Sequence, residues 1–570
     1  MRFIAKPLVY GVATGQILHS TTPLSFWGGI DQETGSIIDH HHPLFRQNIK
    51  DRILVLPSTR GSCTGSLIII ELLLNNVAPA AIIFCDREEI VSTGVIVARI
   101  LLKLSIPVLR VERGVFGVLG AERYLSILDG EIVTGKVPLS LYDSMPLRVP
   151  KFEHHVELTK EDKQILDGSK GAAASKAMEI LLHYAYLQNA KQLTPVSRAH
   201  IDACIYTGPA SLTIAQTFLN SEGKVAVPTT LNSISIDQRR WRELGVDETL
   251  AREANRLAET YVAMGARNSF TCAPYLLDSP PQSGESIGWA ESNAVVFANS
   301  VLGARTQKYP DLTDVCIALT GRAPLAGTQT EDGRVPRVCV GVSDTVQNIE
   351  TMEDAFYPLL GYAIGRVVGG DIPLIFGLET TKPTISDLKA FGAAFATTAS
   401  APMFHITGAT PEAMKLSPAG LPHTKVTQDN IRSALTGLTT AKGRTVGLVS
   451  LGNPHFSLEE FARLSELCAG RHKSESVQFI ITTSRDVCAK ACAAGYDSAI
   501  GAFGGEILTD TCWCMMSESV IDTSVVNLMT NSAKYAHYAP GIVNRGVHFG
   551  CLRECVDAAE RGVFNSGMVI

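Results

Sequence analysis

The chain has 570 residues, 45% hydrophobic and only 19% charged, so it has enough apolar mass for several domain-sized cores. A net charge of -6 and a pI near 6.2 exclude a global basic field that would collect nucleic acid or anionic membrane. No apolar run reaches eighteen residues, and Lys6 and Pro7 interrupt the start before any long apolar region, so the expectation is a cytoplasmic protein without a membrane span. Thirteen cysteines, an odd number without a CxxC pair, read as reduced thiols, most of them buried, and make a zinc ribbon a poor reading.

Residues 1–145 read as one small unit. Val9–Gly15 and Ile53–Pro57 have strand character, Ser66–Asn75 opens a helix, and Ala80–Cys85 and Val108–Val111 are Ile/Val-rich buried strands. This alternation predicts a layered β/α unit. Two polar stretches interrupt it. Pro23–Asp31 is followed by His40-His41-His42, which is either a solvated turn or a metal site. Ser58–Ser66 lies between a strand and a helix, where free N–H groups form either an anion site or an ordinary capped helix start.

Residues 146–160, with Pro150, His154 and His155, have linker character. The remainder, 161–570, reads as a large α/β region subdivided near 310 and 445. Thr159 caps a helix start, 172–187 and 248–264 are helical, Cys204–Tyr206 and Val225–Pro228 read as strands, and Phe404–Glu412 reads as strand, turn and helix start. The last unit has strands predicted at Val446–Ser450, Val477–Thr482 and Ser498–Gly501. Cys488/Cys492 and Cys551/Cys555 have the spacing of helix packing.

The densest chemistry lies in Thr271-Cys272-Ala273-Pro274-Tyr275 and in the run Glu291–Thr306, where a carboxylate, amides, hydroxyls and Arg305 interrupt Ala and Val. Either a capped helix start with a structural thiol or a ligand site accounts for it, since unpartnered buried polar groups are costly. Cys512-Trp513-Cys514 is the one tight Cys pair, able to turn two thiols to one side or clip one iron.

Taken together, Ser25–Asp31, Arg60-Gly61-Ser62, Thr271–Tyr275, Glu291–Thr306, Asn453–Ser457, Thr509–Trp513 and Asn531–Pro540 resemble the aconitase X family over nearly the whole chain. The resemblance implies an aconitase-superfamily-like α/β fold with a small swivel domain fused ahead of a large multi-unit region. It implies a hydro-lyase, with Ser62 as base in its alkoxide form and an iron centre assisting loss of hydroxide. Cys272 and Cys512 match the family's iron ligands. Archaeal members carry a third Cys where this chain has Asn453, so Cys514 is the expected substitute, with a 2Fe–2S cluster favoured or a single iron. Arg60, Thr64, Asn232, Asp237, Glu291, Asn299, Ser300, Arg305, Asn453 and Lys534 are the candidate substrate and supporting contacts. Fused members of the family imply a small hydroxy amino acid, cis-3-hydroxy-L-proline, as substrate. Mevalonate 5-phosphate or another β-hydroxy acid is the alternative, and an iron-binding regulator the non-enzymatic one. A homo-oligomer is compatible with all three.

Overall fold

The computed structural model describes residues 1–39, 42–60, 62–135, 155–516 and 518–565. His40, His41 and most of the expected linker, including His154, lie outside the described residues. The chain forms two compact units: Met1–Val196, Thr207–Val227 and Tyr309–Ala326 make one, and Ser197–Tyr206, Pro228–Lys308 and Gly327–Ile570 make the other.

The first unit is built on an eight-stranded sheet ordered Arg2–Ile4, Glu131–Gly135, Tyr124–Leu128, Val12–His19, Arg52–Leu56, Ala81–Phe84, Val108–Arg110 and Lys6–Val9. Its middle, from Val12–His19 to Val108–Arg110, is parallel, and the flanking strands run antiparallel. Ile53, Leu54, Val55 and Leu56 are all fully buried, which explains their unbroken apolar run: a central parallel strand is covered on both faces. The expected strand Val9–Gly15 is in fact the junction of two strands, Lys6–Val9 and Val12–His19, which lie at different places in the sheet. The helix Ala172–Leu187 is buried nearly all round, with Met178, Leu181, Leu182 and Ala185 on one side and Ile180, Tyr184 and Leu187 on others.

The second unit holds three parallel sheets. One joins Thr229–Leu231, Ala199–Ile201 and Gly288–Trp289. Another is ordered His405–Ile406, Pro373–Phe376, Val338–Gly341, His423–Lys425. The last is ordered Glu506–Thr509, Gln478–Thr483, Leu448–Leu451, Asn527–Thr530, Gly546–Phe549. In this last sheet the chain first winds outward from Leu448–Leu451 to one side and then returns to the other. The strand order therefore reverses beside Leu448–Leu451, and loops at the carboxyl ends of such strands are where ligands gather in α/β sheets.

Several local expectations are corrected. Residues 204–206 are a turn, because the strand ends at Ile201. The strand expected at Val225–Pro228 begins after the proline, at Thr229, where the backbone N–H groups are free to pair. Ser498–Gly501 lies inside the helix Tyr496–Phe503, which buries Ile500 and Phe503 three residues apart; the strand is Glu506–Thr509. Pro411 precedes a short 3-10 turn, Ala413–Lys415, rather than an α-helix. The Thr159 cap is present, in a reciprocal box with Asp162.

Candidate metal centre and the loops that hold it

In the first unit, Ser62 sits just before the helix Gly65–Leu74. Its hydroxyl donates to Thr64 Oγ1 at 3.0 Å and accepts the Thr64 N–H at 3.2 Å. The half-buried oxygen thus already faces a backbone donor at the positive end of a helix, the setting an alkoxide requires. Ser66 ties the turn down by donating to the Cys63 carbonyl at 2.8 Å. The Arg60 guanidinium is half exposed and paired with Asp39 at 2.7 Å.

In the second unit, tertiary structure gathers three buried thiols, Cys272, Cys512 and Cys514. The Cys512 sulfur accepts hydrogen bonds from Cys272, Cys514 and the Ser233 hydroxyl, which hold its pKa well below the usual thiol value. Burial raises the pKa of Cys272, and the bond to Cys512 adds to this; for Cys514 the bond to Cys512 is the larger cause. Cys512 is therefore the thiol of the set whose surroundings most favour its ionised form.

Loops at strand ends supply the surroundings. After Leu448–Leu451, Asn453 donates its amide to Cys514 Sγ at 3.0 Å, while its own carbonyl Oδ1 is buried without a partner. His455 donates its backbone N–H to Cys272 Sγ at 3.2 Å. After Asn527–Thr530, Ser532 caps the helix Ala533–Ile542 and donates its hydroxyl to the Asn453 carbonyl. Lys534, on that helix, reaches Glu291 at 2.9 Å. Burial works against the Lys534 ammonium, yet Glu291 and the three thiols hold its pKa well above the usual lysine value. Glu291 caps the helix Ser292–Phe297 through the Ala294 N–H at 2.7 Å and also accepts from Asn293. Asn293 in turn holds the Cys272 carbonyl at 2.9 Å and the Tyr275 hydroxyl at 2.7 Å. A cavity of about 20 Å³, lined by Lys389, Gly452, Asn453, Pro454 and Glu460 among others, lies beside these loops and has room for one water.

Other expected site residues are occupied otherwise. Asp237 accepts the N–H groups of Arg239 and Thr509, each at 2.9 Å, and that of Arg240 at 3.1 Å. Asn299 bonds the carbonyls of Thr306 and Pro402, each at 3.0 Å, and accepts the Thr306 N–H and Arg334. Ser300 accepts the Phe404 N–H at 2.9 Å, and Arg305 pairs with the exposed Glu331. Asn232 spans Asp202 and the Ser233 N–H, one residue from the Cys512 partner. Sequence reasoning passed over Ser233, Asn293 and His455. The signal for His455 was available, since it stands in the Asn453–Ser457 motif.

A second cluster, Glu353, Asp354 and Cys551, has ligand atoms close enough for a metal. Its acids are already committed: Arg463 and Arg553 pair with Glu353 at 2.7 and 3.0 Å, and Asp354 accepts the Leu552 N–H at 3.1 Å. The thiol cluster is the better metal donor set. Two buried thiols, Cys272 and Cys514, that each bond to a third, Cys512, beside an unpartnered buried amide oxygen, fit an iron–thiolate group.

Family models match most of the chain: "Aconitase X swivel domain" over residues 2–135, "Aconitase X first domain" over 155–332, "Aconitase X second domain" over 336–436 and "Aconitase X third domain" over 446–561. The chain is 46% identical to the cis-3-hydroxy-L-proline dehydratase of Hypocrea jecorina, over 98% of this chain and 95% of that one. It is 47% identical to the enzyme of the same name from Pseudomonas aeruginosa, over 99% and 97%. The crystal structure of Thermococcus kodakaraensis aconitase X in its holo-form superposes with a TM-score of 0.64 at 30% identity, covering 71% of this chain and all of that one. With the swivel-type sheet, the parallel sheets and the thiol cluster in place, these matches show that the chain belongs to the aconitase X family.

Proposed function

We propose that this chain is a hydro-lyase that removes water from cis-3-hydroxy-L-proline to give pyrroline-2-carboxylate. The observation that carries the reading is identity of 46% and 47%, over almost the full length of both partners, to two dehydratases named for that substrate. The thiol cluster and the Ser62 turn support the chemistry.

The α proton of the amino acid is weakly acidic, and its removal leaves charge that must be held. Ser62 is assigned as the base. In this role the Thr64 N–H and the first turn of the helix Gly65–Leu74 stabilise its alkoxide before transfer and orient the lone pair. Arg60, Thr64, Asn232, Glu291, Asn453 and Lys534 are assigned to substrate and its surroundings. Lys534 carries a fixed positive charge, suited to hold a carboxylate and stabilise the negative charge that develops beside it. Asp237, Asn299, Ser300 and Arg305 are assigned to holding backbone and neighbouring side chains. Iron held by Cys272, Cys512 and Cys514, as a 2Fe–2S cluster in preference to a single ion, would supply Lewis acidity toward the departing 3-hydroxyl. Loss of water gives the enamine, which tautomerises to the 1-pyrroline form.

No helix among the described residues is long and apolar enough to cross a membrane. The test is an anaerobic assay of iron-reconstituted protein with cis-3-hydroxy-L-proline, following pyrroline-2-carboxylate and the absorption spectrum together. Turnover with an iron–sulfur band is the expected result. An iron band without turnover would overturn the substrate and direct the assay to mevalonate 5-phosphate.

A further inference from the structure

His455 makes three contacts that converge on two cysteines distant in sequence. Its ring Nε2 lies 2.8 Å from the Thr511 carbonyl oxygen, one residue before Cys512. A carbonyl only accepts, so Nε2 carries the proton. In the neutral tautomer this leaves Nδ1 as the acceptor. Nδ1 lies 3.2 Å from the Thr271 hydroxyl, one residue before Cys272, and that hydroxyl accepts the Ala273 N–H at 3.1 Å while donating to the ring. The backbone N–H of His455 completes the set at Cys272 Sγ.

The backbone also ties these two loops to a common segment. The Thr271 N–H bonds to the Leu231 carbonyl at 3.1 Å and the Ile234 N–H to the Asp510 carbonyl at 2.7 Å, so the segment 231–234 holds the backbone of both loops, and the His455 ring adds a link between them on the side of the sulfurs. His455 is itself anchored from behind. The Lys389 ammonium donates to its carbonyl at 3.0 Å and pairs with Glu460, and the Phe456 N–H bonds to Thr482 at 3.0 Å.

We propose that His455 is a positioning residue that fixes the separation and orientation of the Cys272 and Cys512 sulfurs, so that iron is received by ligands already in place. This rests on the iron reading of the thiol cluster. No ligation by the imidazole is involved; both ring nitrogens are used to hold the residues that precede the two cysteines.

The test compares His455→Phe, His455→Gln and Thr271→Val with the parent protein, each checked for fold by far-UV circular dichroism. One readout is iron bound per chain after anaerobic reconstitution and its rate of loss to excess chelator. The other is the rate at which N-ethylmaleimide labels Cys272 and Cys512 in the iron-free protein, read by peptide mass. For His455→Phe, iron loss should be faster by about 10-fold or more, the size of effect seen when supports of metal ligands are removed, and labelling should be faster too. His455→Gln, which can still donate toward the Thr511 carbonyl, should recover much of both. Thr271→Val should lie between, and adding it to His455→Phe should cost less than it costs alone, since only the Ala273 N–H acceptor is then newly lost. A folded His455→Phe protein with parental iron retention and labelling overturns the proposal. If that variant does not fold, parental behaviour of Thr271→Val overturns it. Should the parent itself take up no iron, the iron reading fails, and the labelling rates still decide whether His455 places the thiols.

Discussion

Ser62 and Cys272 make separable predictions, because one carries the proton and the other the metal. Ser62→Ala removes one hydroxyl whose partners are Thr64 Oγ1 and the Thr64 N–H. Turnover should fall by roughly 10³-fold or more while iron content stays at the parental level, since general-base catalysis alone contributes about 10²–10⁴. A Ser62→Ala enzyme with ordinary turnover would remove the base assignment. Cys272→Ser should lose iron and activity together, as checked by iron analysis beside the assay; a fully active, iron-replete variant would strike it from the ligand set. Glu71 offers a test of burial away from this chemistry. Its carboxyl is buried on the helix Gly65–Leu74, accepts the Ala210 N–H at 2.8 Å, and is pushed by desolvation from 4.5 up to about 7. The folded state therefore holds a proton that the unfolded state releases earlier. The associated stability is complete below about 4.5 and is lost as pH rises through about 7. Glu71→Gln keeps the carbonyl acceptor without the charge, so its thermal midpoint should gain on the parent's between pH 5 and pH 8. A difference that does not change with pH would contradict this. Individual residues were unequally legible. Cys272 and Cys512 stand in polar contexts and could be picked from the chain, whereas Asn299 and Asp237 look equally polar in sequence. Only their saturated hydrogen bonds reveal that they hold backbone.

At the scale of elements, the loop after Leu448–Leu451 depends on Gly452. Its φ is +90°, and a Cβ there would press against the Thr482 carbonyl oxygen. Gly452→Ala should destabilise the protein by roughly 1–3 kcal/mol and hasten iron loss, because the displaced loop carries Asn453 and His455. Gly470→Ala is the matched control: its φ is also positive, at +71°, but nothing lies near the added methyl. It should cost about 1–2 kcal/mol, the left-handed backbone term, and leave iron retention alone. Equal iron retention in both variants would show that the Gly452 loop does not shape the cluster. Elements with a strong local signal were read correctly, such as the helix Ala172–Leu187 and the Thr159 cap. Short apolar segments were not. Ser498–Gly501 has no periodicity long enough to separate strand from helix, and only packing of Ile500 and Phe503 decides it.

At the scale of the whole molecule, all three thiols belong to the second of the two compact units. A ligand that binds only folded protein stabilises the part that holds it, by about 4 kcal/mol at a thousand times its dissociation constant. Calorimetry should then resolve more than one transition, and removing iron with a chelator should lower the transition of the second unit while leaving the other in place. Both moving together, or neither, would contradict this assignment. The sequence by itself determined the α/β class, the small N-terminal unit and the family, because these rest on apolar runs, helix caps and long motifs written in consecutive residues. It also put forward Ser62, Cys272 and Cys512 as candidates. What only the tertiary structure decided is how residues from separate strand ends meet. Cys514 came to lie against Asn453, Lys534 came to face Glu291, and His455 came to span Thr271 and Thr511. Local sequence carries no signal for such meetings. They are set by the winding of parallel strands, which brings loops far apart in the chain to one edge of a sheet.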